Sequence, residues 1–176
     1  MGKIYFRLPD HDQEYAIEEF MKEFSDAEEF VIDGSAGLQD ANGIALWINT
    51  LEKRRKSNFL MDGYVPSTVY LAYNHSKELV GIADIRHYLN EALLYCGGHI
   101  GYSVRPSKRN QGYGSSILQE ALEICKRTNK FEKILLTCSS DNIPSIKIII
   151  KNGGEYENTV VYDGKMKNRY WINLLS

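Results

Sequence analysis

Residues 104–116, VRPSKRNQGYGSS, constrain the fold most strongly, because they connect a β-like segment to an amphipathic helix through two glycines. The residues just before them, 99–104, favour a strand, and apolar side chains at helical spacing follow over residues 113–127. A short apolar run at residues 133–138 is typical of a buried strand. In this order the segments predict a strand–helix–strand unit of an α/β protein.

Further strands and helices surround this unit. Strand character is found at residues 3–8, 68–73, 79–88, 156–162 and 167–174. Helical periodicity is found at residues 11–24 and 42–56, and a short helix capped by Asp141 or Asn142 ends at Asn152. Residues 90–98 are expected to form a loop. The order predicts a single α/β (mixed α+β) domain over residues 1–176, with one central, mostly antiparallel sheet and helices on both faces.

Charge and cysteine content argue against several classes of protein. The 21 Lys+Arg and 23 Asp+Glu residues give a formal net charge of −2, which argues against nucleic-acid binding. Cys96, Cys125 and Cys138 lack the spacing of a disulfide framework or a zinc site, so buried reduced thiols and no metal are expected. Because no apolar leader and no long apolar run is seen, we expect a cytoplasmic protein without a membrane anchor.

The glycine-containing loop has the character of an anion-binding site. Free N–H groups and the positive end of the helix dipole meet at a helix N-terminus, and Gly112 and Gly114 permit close approach of a phosphate. A P-loop nucleotide site needs a lysine where Ser115 stands, and a dinucleotide fingerprint needs a third glycine where Ile117 stands. A different phosphate-bearing ligand, or an ordinary glycine-containing helix start, explains the loop.

The sequence RNQGYG at residues 109–114 resembles the Q/R-x-x-G-x-G/A signature of the GNAT superfamily of N-acetyltransferases, which use acetyl-coenzyme A. The strand before it, and Asn142, Ser145 and Gly153 after it, are similar to that family's arrangement. The tracts VPSTVYLAY, RHYLNEALLYCGGHIGYSVRPSKRNQGYG and LLTCSSDNIPS resemble a bacterial branch of predicted GNAT acetyltransferases. The resemblance covers residues 69–174 and implies a GNAT-like fold.

The resemblance also implies which residues contact the coenzyme. Loop amides would hold the pyrophosphate, the end of the preceding strand would pair with the pantetheine arm, and two later side chains would approach that arm. The implied residues are Arg109, Asn110, Gln111, Gly112, Tyr113, Gly114 and Ser115 in the loop, Tyr102, Ser103 and Val104 in the strand, and Asn142 and Ser145 beyond it. The Val104 amide would polarise the thioester oxygen. A helix cap is the alternative explanation for Asn142.

The groups that move protons are indicated less directly. His99 is the first candidate for a general base, because an ordinary pKa of about 6.5 suits that task, and a structural histidine is the alternative. His87 and Glu91 are further candidates. Many family members carry a tyrosine seven residues after the asparagine of this helix, to protonate the leaving thiolate. This chain has Ile149 there.

These observations predict an enzyme that transfers acetyl from acetyl-coenzyme A to a primary amine of a small molecule or a peptide. The acceptor is expected to contact residues 28–64, where Glu28, Glu29, Asp33 and Asp40 either attract a cationic amine or form a solvated surface. The alternative is a catalytically weakened coenzyme-A-binding regulatory module, which Ile149 favours. The resemblance is also consistent with a homodimer formed through the last strands.

Overall fold

The structure, a computed structural model, describes residues 3–56, 58 and 63–175. Its strands are β1 (Ile4–Arg7), β2 (Ser67–Asn74), β3 (Leu79–Arg86), β4 (Ile100–Val104), β5 (Lys133–Ser139), β6 (Glu155–Tyr162) and β7 (Lys165–Asn173). Its helices are α1 (Glu14–Asp26), α2 (Ile44–Arg54), α3 (Glu91–Tyr95), α4 (Tyr113–Thr128) and α5 (Ile143–Lys151). The predicted elements are all present, with ends that differ by a few residues.

The short helix α3 was not expected, because residues 90–98 read as a loop. The side chain of Asn90 caps it by accepting a hydrogen bond from the Leu93 N–H at 2.9 Å. A five-residue helix is too short to show a helical period in its sequence. Only the asparagine before it signalled a helix start.

The strands form two antiparallel sheets, whereas the sequence predicted one central sheet. Their orders are β1-β2-β3-β4 and β5-β7-β6. The β4 and β5 strands meet at their beginnings, where the His99 N–H donates to the Leu135 carbonyl at 2.8 Å. The His99 side chain then accepts the Leu135 N–H, so regular pairing does not develop and no ladder joins the two strands in the described ranges. This separation of β4 from β5 positions the site.

Helices cover both faces of the first sheet, as the sequence predicted. On β2, Val69 and Leu71 pack against α1 and α2, while Tyr70 and Ala72 face the side covered by α4. Leu71 is fully buried, and burying a side chain of that size contributes about 1.5–3 kcal/mol. The α5 helix packs against α4 and β5. The N-terminus of α4 thereby lies against the C-terminal part of α5, where Asn152 contacts Ser115, and both helices border the gap between the sheets.

Other sequence expectations concern membranes, metals and thiols. In residues 3–56, 58 and 63–175, no helix has the length and apolar character needed to cross a bilayer. The same ranges contain no group of three or more His, Cys, Asp or Glu side chains that could hold a metal ion. The three cysteines are free, with Cys125 and Cys138 buried and Cys96 partly exposed. Burial raises the pKa of the Cys125 thiol to about 12, which leaves it unreactive.

Candidate functional site

A cleft of about 1100 Å³ opens where β4 and β5 separate. Its volume lies just above the range of about 300–1000 Å³ that is usual for small-molecule sites. It is lined by most of the residues predicted to bind the coenzyme, namely Tyr102, Ser103, Val104, Arg109, Asn110, Gly112, Tyr113, Gly114, Ser115, Asn142 and Ser145. Gln111 lies outside the cleft, where its side-chain amide donates to the Ser107 carbonyl at 3.1 Å.

The N-terminus of α4 presents free N–H groups along this cleft. Gly112 precedes the helix with a φ of 84°, in the left-handed region. The Ser116 N–H makes the first helical bond, to the Gly112 carbonyl at 3.2 Å. The N–H groups of Tyr113, Gly114 and Ser115 therefore come before the first helical bond and are available to an anionic ligand.

The edge of β4 presents further main-chain groups. The Arg105 N–H donates to the Val80 carbonyl at 2.9 Å, so this pair is hydrogen-bonded. Hydrogen-bonded pairs alternate along an antiparallel ladder, which places the Ser103 main chain against β3 and leaves those of Tyr102 and Val104 facing away from it. Because β5 has separated from β4 at this point, the Tyr102 main chain and the Val104 N–H are open to an extended ligand that carries amides, whereas the Val104 carbonyl accepts a hydrogen bond from Arg109 Nε at 3.3 Å.

The two basic residues of the loop that line the cleft, Lys108 and Arg109, are already paired with carboxylates. Arg109 forms a bidentate pair with Glu29 at 2.5 and 2.7 Å, and Lys108 Nζ lies 2.8 Å from a Glu78 oxygen. Hydrogen bonds from these cations lower the pKa of both carboxyl groups, so both stay ionised at neutral pH. The pairs tie the loop to residues outside α4 and leave these two cations only partly available to a phosphate.

The cleft as a whole is nonetheless basic. Its lining contains seven cationic side chains and three carboxylates, on a chain whose formal net charge is −2. The cations are Arg86, Lys108, Arg109, Lys147, Lys151, Lys165 and Lys167, and the acids are Glu29, Asp33 and Asp163. A cleft lined mainly by one sign of charge concentrates ligands of the opposite sign.

The other end of the cleft is bounded by the loop between α1 and α2. The Gly34 backbone lies so close to β4 that a Cβ at residue 34 would be 2.8 Å from the Tyr102 Cα. The neighbouring Asp33 carboxylate lines the cleft, where protein atoms desolvate it and raise its pKa. The Tyr102 hydroxyl lies 3.4 Å from Ser145 Oγ. Burial raises the pKa of Tyr102 to about 12. A carboxylate and two hydroxyl groups thus lie within one cleft.

Asn142 and Ser115 make contacts that fix the two helix starts. Asn142 Oδ1 accepts a hydrogen bond from the Ser145 N–H at 3.2 Å. This side chain therefore caps α5, which was the alternative explanation for Asn142 in the sequence. Ser115 Oγ accepts a hydrogen bond from the Asn152 side chain at 3.3 Å. Its hydroxyl hydrogen is still able to donate to a ligand. The predicted acceptor segment 28–64 includes positions 57 and 59–62, which lie outside the described residues.

His99 lies outside the cleft, at the junction of β4 and β5. Its Nδ1 accepts the Leu135 N–H at 2.9 Å, and its ring packs edge-on against Phe131 and Trp171. Burial lowers the pKa of His99 to about 4. These contacts favour the structural alternative for His99. Of the other candidate bases, His87 contacts Thr68 at a separate small cavity and Glu91 begins α3.

The effect of pH on stability tests the role of His99. The pKa of His99 in the folded protein lies below its ordinary value. The contribution of neutral His99 to the free energy of unfolding is therefore complete above about pH 6.5 and is lost as the pH falls toward 4. At about 1.4 kcal/mol per pKa unit, this loss is on the order of 3 kcal/mol. We expect urea unfolding to show that the stability difference between wild type and His99→Ala shrinks by that amount from pH 7 to pH 4.

His75→Ala, which removes a histidine from the exposed turn after β2, is the matched control for the substitution itself. The pH profile of kcat/KM between pH 6 and 9 should keep its shape in His99→Ala. Loss of its acidic limb in that variant would instead identify His99 as the general base.

Several cleft residues were missed by the sequence analysis. Arg86, Lys147, Lys151 and Lys167 come from β3, α5 and β7, and each stands in an ordinary sequence context. A lysine on a strand or helix is normally a surface residue, so nothing distinguishes these positions before the chain folds. Asp33 was noted only as one of several acidic residues.

A model of the acetyltransferase (GNAT) family matches residues 38–153, about two-thirds of the chain. Among curated proteins, the chain is 31% identical over 80 residues to YnaD of Bacillus subtilis (strain 168), described as an uncharacterized N-acetyltransferase. It is 36% identical over 59 residues to AaaT of Escherichia coli (strain K12), described as an L-amino acid N-acetyltransferase. These matches cover 44% and 34% of the chain but only 47% and 36% of the two relatives.

The fold is similar to that of solved acetyltransferases. RimL, a ribosomal L7/L12 α-N-protein acetyltransferase solved in complex with coenzyme A, superposes with a TM-score of 0.70. The superposition covers 97% of this chain and 94% of RimL at 18% identity. At that identity the likeness concerns the fold alone.

Proposed function

The chain belongs to the GNAT family of acetyltransferases, and on that premise we propose that it transfers the acetyl group of acetyl-coenzyme A to a primary amine. The observation that carries this proposal is the cleft between β4 and β5, in which a helix start with free N–H groups, an open strand edge and a carboxylate lie together. The alternative of a regulatory module is not favoured, because the family that matches is one of acetyltransferases and a carboxylate, Asp33, lines the cleft.

The coenzyme's phosphates fit the loop end of the cleft. The N–H groups of Tyr113, Gly114 and Ser115 would donate to the pyrophosphate at the positive end of the α4 dipole. Lys147 and Lys151 of α5 line the same cleft and, in the described chain, form no ion pair, so they are available to phosphate charge. The residues present therefore fit a ligand that carries several phosphates.

The pantetheine arm fits the open edge of β4. Its amides would pair with the main chain of Tyr102, which faces away from β3. The thioester then comes to lie near the Val104 N–H, which would donate to the oxygen that gains charge as the amine attacks. An oxyanion donor of this kind contributes about 3–4 kcal/mol to transition-state stabilisation.

Acetyl transfer forms a C–N bond and breaks the C–S bond, while the acceptor ammonium gives up two protons in all. Removing the first costs about 4–5 kcal/mol near pH 7 for an amine with a pKa of about 10.4. Asp33 would receive it, and the charges of Lys167 and Arg86 act on this carboxyl group. The second proton leaves the nitrogen once the C–N bond has formed and passes to solvent, so the coenzyme departs as the thiolate.

The tyrosine that many family members use to protonate the departing thiolate is replaced here by Ile149, so other hydroxyl groups would have to stabilise the sulfur. Ile149 is buried and has no proton to give. Tyr102 and Ser145 contact each other in the cleft, and we propose that one of these hydroxyls donates a hydrogen bond to the sulfur. A phenol with a pKa of about 12 stabilises a thiolate by hydrogen bonding without becoming ionised itself.

Ligand-induced stabilisation and thiol release together test the proposal. We expect acetyl-coenzyme A and coenzyme A to raise the Tm of the full chain, while ATP and NAD do not, because a ligand stabilises only the state that it binds. We also expect release of free thiol from acetyl-coenzyme A to require an added amine. Stabilisation by ATP or NAD alone would overturn the cofactor assignment, and tight coenzyme binding without turnover on a broad amine panel would indicate the regulatory module.

A further inference from the structure

We propose that the contacts of Arg109 with Glu29 and with the Val104 carbonyl form a latch, which the coenzyme has to release before it lies along the end of β4. Glu29 thereby competes with the coenzyme's phosphates for the Arg109 guanidinium and lowers the affinity of the chain for the coenzyme. This inference rests on the coenzyme binding proposed above and adds a conformational step to it.

The Arg109 side chain occupies the end of the open strand edge. Its Nε donates to the Val104 carbonyl at 3.3 Å, and its two terminal nitrogens donate to the two Glu29 oxygens at 2.5 and 2.7 Å. The guanidinium also lies over the ring of the buried Phe24, 5.5 Å from the ring centroid. Val104 is the last residue of β4, and its main chain faces away from β3. The carbonyl that an extended ligand would meet there is therefore already bonded to a side chain.

The pair joins the end of α1 to the loop before α4, and the backbone is anchored on both sides. The Glu29 N–H donates to the Phe24 carbonyl in the last turns of α1, at 2.9 Å. The Arg109 N–H donates to the Pro106 carbonyl at 3.3 Å. The part that would move is thus the Arg109 side chain, and its movement requires no displacement of a helix or a strand.

A second carboxylate at the end of α1 also contacts this loop but lies outside the cleft. Glu23 accepts hydrogen bonds from Arg105 Nε at 2.6 Å and from the Ser107 N–H at 3.1 Å. The Glu23 and Arg105 side chains are 28% and 16% exposed, and neither lines the cleft. Glu29 and Arg109 are both 39% exposed, and both line it. The Glu23 pair is therefore a fixed tether, and the Glu29 pair is the one that a ligand in the cleft reaches.

A phosphate is a stronger partner for Arg109 than the Glu29 carboxylate. A guanidinium binds phosphate oxygens in the same two-point geometry as a carboxylate, and a pyrophosphate carries more charge than one carboxylate. The free N–H groups at the start of α4 would hold that pyrophosphate in the loop that carries Arg109. Release of Arg109 also frees the Val104 carbonyl to accept a hydrogen bond from an amide of the pantetheine arm.

A latch and a static tether predict opposite signs for one substitution. If Arg109 stays on Glu29 when the coenzyme binds, the pair only orders the loop, so removing the Glu29 charge weakens coenzyme binding. If Glu29 competes with the phosphates for Arg109, removing its charge tightens coenzyme binding.

Isothermal titration calorimetry of the full chain with coenzyme A measures this sign. Glu29→Gln keeps the size of the side chain and removes its charge, and we expect the Kd to fall about fivefold, as corresponds to the loss of a partly exposed ion pair. Arg109→Gln should raise the Kd about tenfold, because a charged hydrogen bond to phosphate is lost. A cooperative thermal unfolding transition like that of wild type shows that each variant is folded.

Two variants with the same change of charge are the controls. Asp163→Asn removes a carboxylate that lines the same cleft from the turn between β6 and β7, and Glu23→Gln removes the other carboxylate at the end of α1. Neither should lower the Kd by more than about twofold, because solvent and salt screen a charge that is not in contact with the ligand. A decrease in Asp163→Asn as large as that in Glu29→Gln would mean that overall charge, and not the latch, sets the affinity.

A crystal structure of the chain with coenzyme A tests the latch directly. Arg109 should contact a phosphate oxygen, and the Val104 carbonyl should accept a hydrogen bond from the coenzyme. An intact pair between Arg109 and Glu29 in that complex, or an unchanged or raised Kd in Glu29→Gln, overturns the inference and leaves acetyl transfer standing. Failure of the wild-type chain to bind coenzyme A overturns both.

Discussion

Replacing Gly112 by valine is expected to weaken acetyl-coenzyme A binding about a hundredfold. Gly112 has a φ of 84°, which a β-branched residue strongly disfavours, so the chain before α4 would change its path. The N–H groups of Tyr113, Gly114 and Ser115 would then no longer converge on one phosphate position. Loss of two hydrogen bonds to a charged group, at about 1.5 kcal/mol each, corresponds to that factor, and isothermal titration calorimetry measures it.

Gly153→Val is the matched control for this prediction. Gly153 also has a left-handed backbone, with a φ of 88°, and no atom lies within 4 Å of the Cβ that a substitution would add. Both variants should therefore lose a similar amount of unfolding free energy, whereas only Gly112→Val should lose coenzyme affinity. Equal affinity in the two variants would mean that the α4 N-terminus does not hold the phosphates.

The sequence could predict that the residues proposed to bind the coenzyme share one cleft, because these residues are close together in the chain. One strand, one loop and one helix start supply Tyr102 through Ser115, and each has a local signal in glycine placement, apolar periodicity or β propensity. The element order was predictable for the same reason. Most of the proposed contacts to the coenzyme come from main-chain groups. Predicting these contacts therefore requires the local backbone conformation and the positions of only a few side chains.

The part of the cleft proposed to bind the acceptor could not be predicted, because it is assembled from distant segments. Asp33, Arg86 and Lys167 come from the α1–α2 loop, β3 and β7, and only the folded topology brings them to one cleft. The role of His99 was hidden for a related reason, since its partner Leu135 is 36 positions away along the chain. The division into two sheets depends on that same contact, and no single segment signals it.

Replacing Gly34 by alanine is expected to lower kcat/KM about a hundredfold while leaving the Kd for acetyl-coenzyme A unchanged. A Cβ at residue 34 would overlap the Gly101 carbonyl oxygen and lie 2.6 Å from the Gly101 carbonyl carbon, and the φ of 77° adds strain. Backbone atoms cannot yield as a flexible side chain does, so the loop must move away from β4. Asp33 moves with it, and a displacement of about 1 Å at a reacting group costs about a hundredfold in rate.

Gly37→Ala separates this effect from backbone strain alone. Gly37 lies in the same loop with a φ of 84°, but a Cβ there would have no atom within 4 Å. Urea unfolding should show a small loss of stability in Gly37→Ala and a larger one in Gly34→Ala, because only the second disrupts packing between the loop and β4. If steady-state kinetics give the two variants the same kcat/KM, the contact between this loop and β4 does not position the acceptor. If Gly34→Ala also loses coenzyme affinity, the loop acts on the whole cleft through β4, and Asp33 is not the group whose displacement limits the reaction.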